Sequence, residues 1–287
     1  MSSPALGNGH LYIGTDGNGM VCAGEPSDVV REKMWAGAGG DAGRSAYAGG
    51  GLLPERGAYA WRFPSEGGDL PEVTAPLSCM DGAVYMATQS TQRQGVARIV
   101  YPEQDAPPGT TATQTWFFAT ALPVRRAAAV SSRGEAFVLD GRAGREGRQL
   151  YCIDTPTGTE RWRHAVAADA DGTLRLTESA LFVADRPGVL SCFGRVGDGT
   201  VSEPVWSAPV GDSPYGVSPA GDILLGVSTG EPAVWALDAA GGAELWRTPT
   251  VRTAQTSVVA MRFEKKAEAP SAADPSSNVV KTVTRDA

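Results

Sequence analysis

The sequence predicts an all-β fold, a β-propeller of four-stranded antiparallel blades, about seven of them with a range of six to eight, on three observations. A turn ending in glycine or another small residue, followed by a short apolar strand that usually carries an aromatic, recurs along the chain. A tryptophan closes almost every one of these units, and helical periodicity is absent throughout.

The recurring strands, in order, are Gly9–Thr15, Gly82–Thr88, Gly134–Asp140, Ser179–Asp185 and Gly221–Val227, with two poorer copies at Arg44–Gly50 and Ser257–Phe263. From Leu11 to Val258 the intervals average about 41 residues, the length of one four-stranded blade. The closing tryptophans are Trp35, Trp61, Trp116, Trp162, Trp206 and Trp246, and only Trp235 lies elsewhere. Each unit reads as an inner strand, the aromatic strand, a third strand such as Gln149–Asp154 or Ala233–Asp238, and the tryptophan-bearing outer strand. Trp35 and Trp61 are close together, so a blade there is expected to be shortened.

Two endings share the spacing Asp-x3-Gly-x3-Trp, at Asp154–Trp162 and Asp238–Trp246. The aspartates end a strand and favour a turn, and Gly158 and Gly242 supply a positive-φ position. Cys22, Cys152 and Cys192 fall at the third-strand position held by Ala236, where a small buried residue is wanted. With Cys79 they make four cysteines, none adjacent to another and none in CxxC spacing, which speaks against a disulfide scaffold, zinc or haem attachment.

These residues resemble the PQQ-like repeat family, the tryptophan-docking propellers that include quinoprotein dehydrogenases and outer-membrane assembly lipoproteins. The resemblance covers about residues 5 to 263, is most specific at Asp154–Trp162 and Asp238–Trp246, and is poorest at Trp35. Membership of the dehydrogenase branch would imply PQQ, a calcium ion and a vicinal-cysteine disulfide, in a chain of about twice this length. No two cysteines here are neighbours, so only the scaffold repeat is shared, and a fold does not carry a function with it.

Composition narrows the partners. The formal charge is −7 with 20% charged residues, which argues against nucleic acid or an anionic membrane surface. No run approaches 18 apolar residues, and the first residues lack the basic and apolar regions of a signal peptide. The chain is cytoplasmic as written, although relatives of this kind are commonly periplasmic or at the cell surface. Residues 1–263 are expected to form the propeller and 264–287 a polar tail, with an alternating stretch at 278–285 able to add a closing strand.

Candidate chemistry is sparse. Gly37–Ser45 is a glycine-rich loop whose spacing departs from that of a phosphate loop and which opens no helix. Asp16–Gly19 and Asp169–Gly172 begin like calcium loops but lack the downstream glutamate. His10 and His164 are the only imidazoles, and Asp140, Asp154, Asp185 and Asp238 recur at strand ends as turn formation predicts. No residue is assigned a catalytic, cofactor-binding or metal-ligating role, and no cofactor is expected. The function expected is a non-catalytic scaffold that holds a protein partner on its face loops, with the insert Tyr101–Thr110 as a contact loop. The alternatives are a quinoprotein-like enzyme with its site in the central channel, or one portion of a larger propeller or sensor domain.

Overall fold

A computed structural model of the chain describes residues 5–7, 10–14, 20–23, 59–63, 72–89, 94–100, 112–142, 144–168, 174–196, 199–200, 202–211, 215–228 and 231–250. Every regular element among them is a β-strand, and the strands form five antiparallel sheets in chain order.

The first blade comprises β1 (Ala5–Gly7), β2 (His10–Gly14), β3 (Met20–Ala23) and β4 (Tyr59–Phe63). In the second, β5 (Glu72–Val73) and β6 (Ser78–Met80) both pair with β7 (Ala83–Gln89), followed by β8 (Gln94–Val100) and β9 (Thr113–Ala119). The third is β10 (Ala129–Ser131), β11 (Glu135–Leu139), β12 (Gln149–Asp154) and β13 (Glu160–Ala165). The fourth holds β14 (Leu174–Leu176), β15 (Ala180–Arg186) and β16 (Val189–Val196), with β17 (Gly199–Thr200) and β18 (Trp206–Pro209) both on β16. The fifth is β19 (Tyr215–Ala220), β20 (Ile223–Ser228), β21 (Ala233–Asp238) and β22 (Glu244–Pro249).

Five of the expected aromatic strands are therefore the second strands β2, β7, β11, β15 and β20. Arg44–Gly50, Ser257–Phe263, Trp35 and the segment 264–287 lie outside the described residues. One expectation is corrected: Trp61 pairs with Cys22 and closes the first blade, not a second unit. Residues 24–58 thus intervene between adjacent strands of one sheet.

The second, third and fourth blades bury both faces against their neighbours, and strands covered on two sides read as continuous apolar runs. Val84, Met86, Ile99 and Leu77 of the second blade pack with Met20 of the first. The opposite side of that blade places Tyr85, Val96 and Trp116 against Val138, Tyr151 and Ile153 of the third. Phe137, Leu150 and Cys152 then meet Leu181, Val183 and Phe193 of the fourth. Phe182, Leu190 and Cys192 meet Leu224, Trp235 and Leu237 of the fifth. At about 1.5–3 kcal/mol for each large apolar side chain removed from water, these seams are the main source of stability.

The tryptophans fix how neighbouring blades seat. In register Trp61, Trp162, Trp206 and Trp246 pair with Cys22, Cys152, Cys192 and Ala236, and in the third to fifth blades the small third-strand residue stands opposite the indole. In the second blade Arg98 faces Trp116 instead. Trp116 projects onto the β12–β13 turn of the third blade and donates from Nε1 to the Thr155 carbonyl at 2.7 Å. Gly158, at φ 74°, leaves room for the ring: a Cβ there would lie 2.5 Å from Trp116 Cγ. Trp206 makes the same approach to Gly242, at φ 71°, where a Cβ would lie 2.5 Å from Cε3.

The Asp-x3-Gly turns are built as their spacing predicts. Gly158 N–H and Gly242 N–H donate to the Asp154 and Asp238 carbonyls, while the aspartate side chains accept from Thr157 N–H and Gly241 N–H. In the next turn of the chain the pairing skips the residue before the tryptophan, Arg161 in β13 and Leu245 in β22, which bulges out of the ladder. That bulge leaves Leu245 51% exposed, and Trp246 is 44% exposed, more than Trp116, Trp162 or Trp206.

Blade 4 lacks the Asp-x3-Gly turn and uses the β16–β17 hairpin in its place. Trp162 Nε1 donates to the Thr200 carbonyl at 2.8 Å, and Glu135 accepts from Thr200 N–H at 2.7 Å and from its hydroxyl at 3.3 Å. Glu135 is fully buried, with Arg161 Nη1 3.8 Å from its carboxylate. A buried carboxylate without such partners would cost several kcal/mol, so Thr200 is clamped by the third blade.

Candidate interaction ends and the polar seams

Because the strands of every blade alternate in direction, their connections gather at two ends of the disc. The β2–β3 type of turn and the crossings from blade to blade share one end, here termed the connection end. Hydrogen bonds tie these segments together: Gly141 N–H to the Pro123 carbonyl, Gly144 N–H to Ala168, Ala167 N–H to Asp185 and Val210 N–H to Gly188. The first-to-second and third-to-fourth strand turns share the other, the turn end.

The two ends differ in charge among the described residues. The connection end carries exposed Arg125, Arg142, Arg145 and Arg186 and half-buried Arg126, with Glu72, Glu146 and Glu231 as its exposed acids. Asp81, Glu178, Glu203, Asp222 and Glu244 are exposed at the turn end, where Arg133 and Arg161 are the exposed bases. Several turn-end charges are locally paired, Arg161 with Asp154 at 2.6 Å and Arg247 with Glu244 at 2.8 Å.

Beneath the connection end lie two buried carboxylates at equivalent places in neighbouring blades. Asp140 accepts from Gln149 N–H at 2.7 Å, Leu122 N–H at 3.2 Å and the Tyr151 hydroxyl at 3.2 Å, holding the crossing from the second blade against the third. Burial pushes its carboxyl up, against the pull of those hydrogen bonds. Asp185 accepts from the Ser191 hydroxyl at 2.7 Å and lies 3.0 Å from His164 Nε2. Burial raises this carboxyl too, but the His164 and Ser191 hydrogen bonds outweigh it and hold the group below the usual carboxylate range. His164, on β13, thereby bridges the third blade to the fourth, its ring edge on Phe193.

This cluster holds Ser, His and Asp but not in a nucleophile's order. The carboxylate sits between the other two, so neither imidazole nitrogen is shown at the serine hydroxyl, and Ser191 and Asp185 are both buried. Its chemistry is that of an inter-blade clasp. The Asp185 contribution to stability is present above about pH 4 and lost as pH falls through its depressed folded value. Asp140, shifted the other way, contributes with the opposite sign. We expect the urea midpoint to fall between pH 7 and pH 3 and to fall less steeply in Asp185→Asn. Equal slopes would remove Asp185 from the acid response.

The described cysteines are apart. Cys79, Cys152 and Cys192 are buried in three different seams, so they cannot supply one another with the vicinal pair of a quinoprotein site. Burial pushes the Cys192 thiol up to about 12, and burial with the Glu135 charge pushes Cys152 higher still. Both should escape alkylation in the folded chain and react only in denaturant, read by peptide mass; ready labelling of either without denaturant would contradict the packing. Among the described residues no three His, Cys, Asp or Glu side chains converge as a metal set, so this part of the chain does not fit a quinone and its calcium. The side chains of His10 and Cys22, and the segments Asp16–Gly19, Gly37–Ser45, Tyr101–Thr110 and Asp169–Gly172, lie outside the described residues. No helix among the described residues is long and apolar enough to cross a membrane.

The family model described as outer membrane protein assembly factor BamB, a PQQ-like repeat model, matches residues 105–203 and 167–248, which together span half of the chain. The chain belongs to this PQQ-like, BamB-type repeat family. BamB from Moraxella catarrhalis superposes with a TM-score of 0.52 at 16% identity, covering 86% of this chain and 61% of that one. The computationally designed protein Ika8 gives 0.56 at 13% identity over 92% of this chain and 65% of its own. The quinohemoprotein alcohol dehydrogenase ADHIIG from Pseudomonas putida HK5 gives 0.52 at 13% identity, over 87% of this chain and 42% of that one. At such identities the likeness is one of fold, and the chain spans less than two thirds of each of these structures. No curated protein matches the chain in sequence.

Membership accounts for the seating of Trp116, Trp162 and Trp206 in this BamB-type propeller. It does not by itself bring an active site. What sequence reasoning missed was Glu135, the His164–Asp185–Ser191 clasp and the arginines of the connection end. The available signal for Glu135 was a glutamate at the start of the otherwise apolar stretch Glu135–Leu139.

Proposed function

We propose that the chain is a non-catalytic scaffold, residues 1–263 forming the propeller and 264–287 a polar tail, that holds a protein partner on loops at the face of the disc. The observation that carries this reading is the difference between the interior and the ends. The buried polar groups beneath the connection end, Asp140, Asp185, Ser191 and His164, are spent on joining strands and blades, while the exposed charges stand on the connections. Membership of the BamB-type family supports protein partners at a coarse level. The insert Tyr101–Thr110 is a second proposed contact loop.

Affinity capture from native lysate with the purified chain tests the reading, with the eluate examined by protein mass spectrometry and visible absorbance. A protein recovered at constant stoichiometry with a blank spectrum is expected. A quinone-like spectrum with no protein partner would overturn it and support the enzyme reading in the central channel.

A further inference from the structure

We propose that the connection end of the second to fourth blades binds an acidic segment of a protein partner, with Arg125, Arg142, Arg145 and Arg186 as its recognition residues. The proposal rests on the scaffold reading above and adds to it the face used and the chemistry of the partner.

Three segments bring these arginines together. Arg125 lies on the crossing from the second blade to the third, Arg142 and Arg145 on the β11–β12 connection, and Arg186 at the β15–β16 turn. The segments are bound to one another by the Gly141–Pro123, Gly144–Ala168 and Ala167–Asp185 backbone hydrogen bonds, so the charges are carried on a joined surface rather than on independent loops. Asp140 fixes the same surface from below through Leu122 N–H and Gln149 N–H.

Among the described residues little competes for these guanidinium groups. All four residues are exposed. Arg142 and Arg145 make no side-chain ion pair with a described residue, Arg125 holds only Gln89 Oε1 at 3.1 Å, and Arg186 reaches Asp185 at 3.8 Å. Among the described residues Glu146 is the exposed acid in these segments, and exposed Glu72 of β5 stands opposite Gln89, the residue that Arg125 holds, so the arginines outnumber the acids around them. A planar guanidinium presents paired donors that match a carboxylate, and several on one surface steer an acidic chain toward it. The contrast with the acidic turn end orients such a partner to this end, while the overall charge of −7 disfavours a long polyanion such as nucleic acid, which would extend beyond the arginines.

The test uses the full 287-residue chain and a fluorescein-labelled octa-glutamate peptide, read by fluorescence anisotropy at low salt, with octa-lysine and an eight-phosphate oligo-deoxythymidine as comparisons. The double variant Arg142→Glu/Arg145→Glu, checked for an unchanged melting midpoint, should weaken octa-glutamate binding at least tenfold. It should leave octa-lysine binding unweakened, because octa-lysine is drawn to the turn end. Absence of octa-glutamate binding, equal binding by the variant, or tighter binding of the oligonucleotide than of the peptide would each overturn the proposal. Lysate capture run in parallel separates the two readings. If wild type and variant capture the same partner equally, the scaffold stands and this face is wrong; if neither captures a protein, the scaffold reading itself fails.

Discussion

Trp116→Ala is expected to lower stability by about 3–5 kcal/mol, the range for removing a large buried aromatic from a core. Trp116 is 9% exposed, its ring packs in the seam between the second and third blades, and its Nε1 donates to the Thr155 carbonyl. Truncation removes the ring, leaves a cavity over Gly158 and orphans a carbonyl at the blade junction. Trp246→Ala is the matched comparison: same register, same outer strand, but a ring 44% exposed, so its loss should cost less than about 1.5 kcal/mol. Urea unfolding of both variants measures the difference. Equal losses would mean that Trp246 is seated like the others.

Gly158→Ala should cost about 2–5 kcal/mol, a large effect for a single methyl group. Part is backbone strain of about 1–2 kcal/mol, since Gly158 holds φ 74° and an L side chain is disfavoured there. The rest is overpacking of about 1–3 kcal/mol, because the new Cβ would meet Trp116 Cγ at 2.5 Å. These two parts can be separated. In the Trp116→Ala background only the backbone part remains, so the pair should show a coupling energy of at least about 1 kcal/mol. Additive losses would show that the ring does not rest on this glycine.

Much of this architecture was legible in the chain because its signals are local. The aromatic strands, the third strands Gln149–Asp154 and Ala233–Asp238, and the Asp-x3-Gly turns each occupy fewer than a dozen residues, within reach of a spacing argument. The seats were not legible in the same way. Gly158 reads as a turn glycine from its neighbours alone, and its second role depends on Trp116, in another blade. The Glu135–Thr200 clamp spans 65 residues and substitutes for a turn motif that blade 4 lacks. Trp61 was assigned to the wrong unit because residues 24–58 separate paired strands, and no local pattern reports such an interval.

The candidate site was less legible still. Arg125, Arg142 and Arg186 are scattered over 61 positions, and only the alternation of strand direction gathers them at one end. His164 and Asp185 were noted individually, but their pairing across a blade seam, with Ser191 on the other carboxylate oxygen, requires the packed strands. A motif search finds residues that act close together in sequence. A propeller presents residues from several blades at once.

Hydrogen exchange of the chain alone and with its captured partner, read by mass spectrometry, tests the functional account most directly. The account predicts new protection at the connection end, in residues 121–126, 140–148 and 186–188, with the inner strands β6, β10, β14 and β19 unchanged. Protection confined to those inner strands, produced by a small molecule rather than a protein, would contradict it and place the function in the central channel.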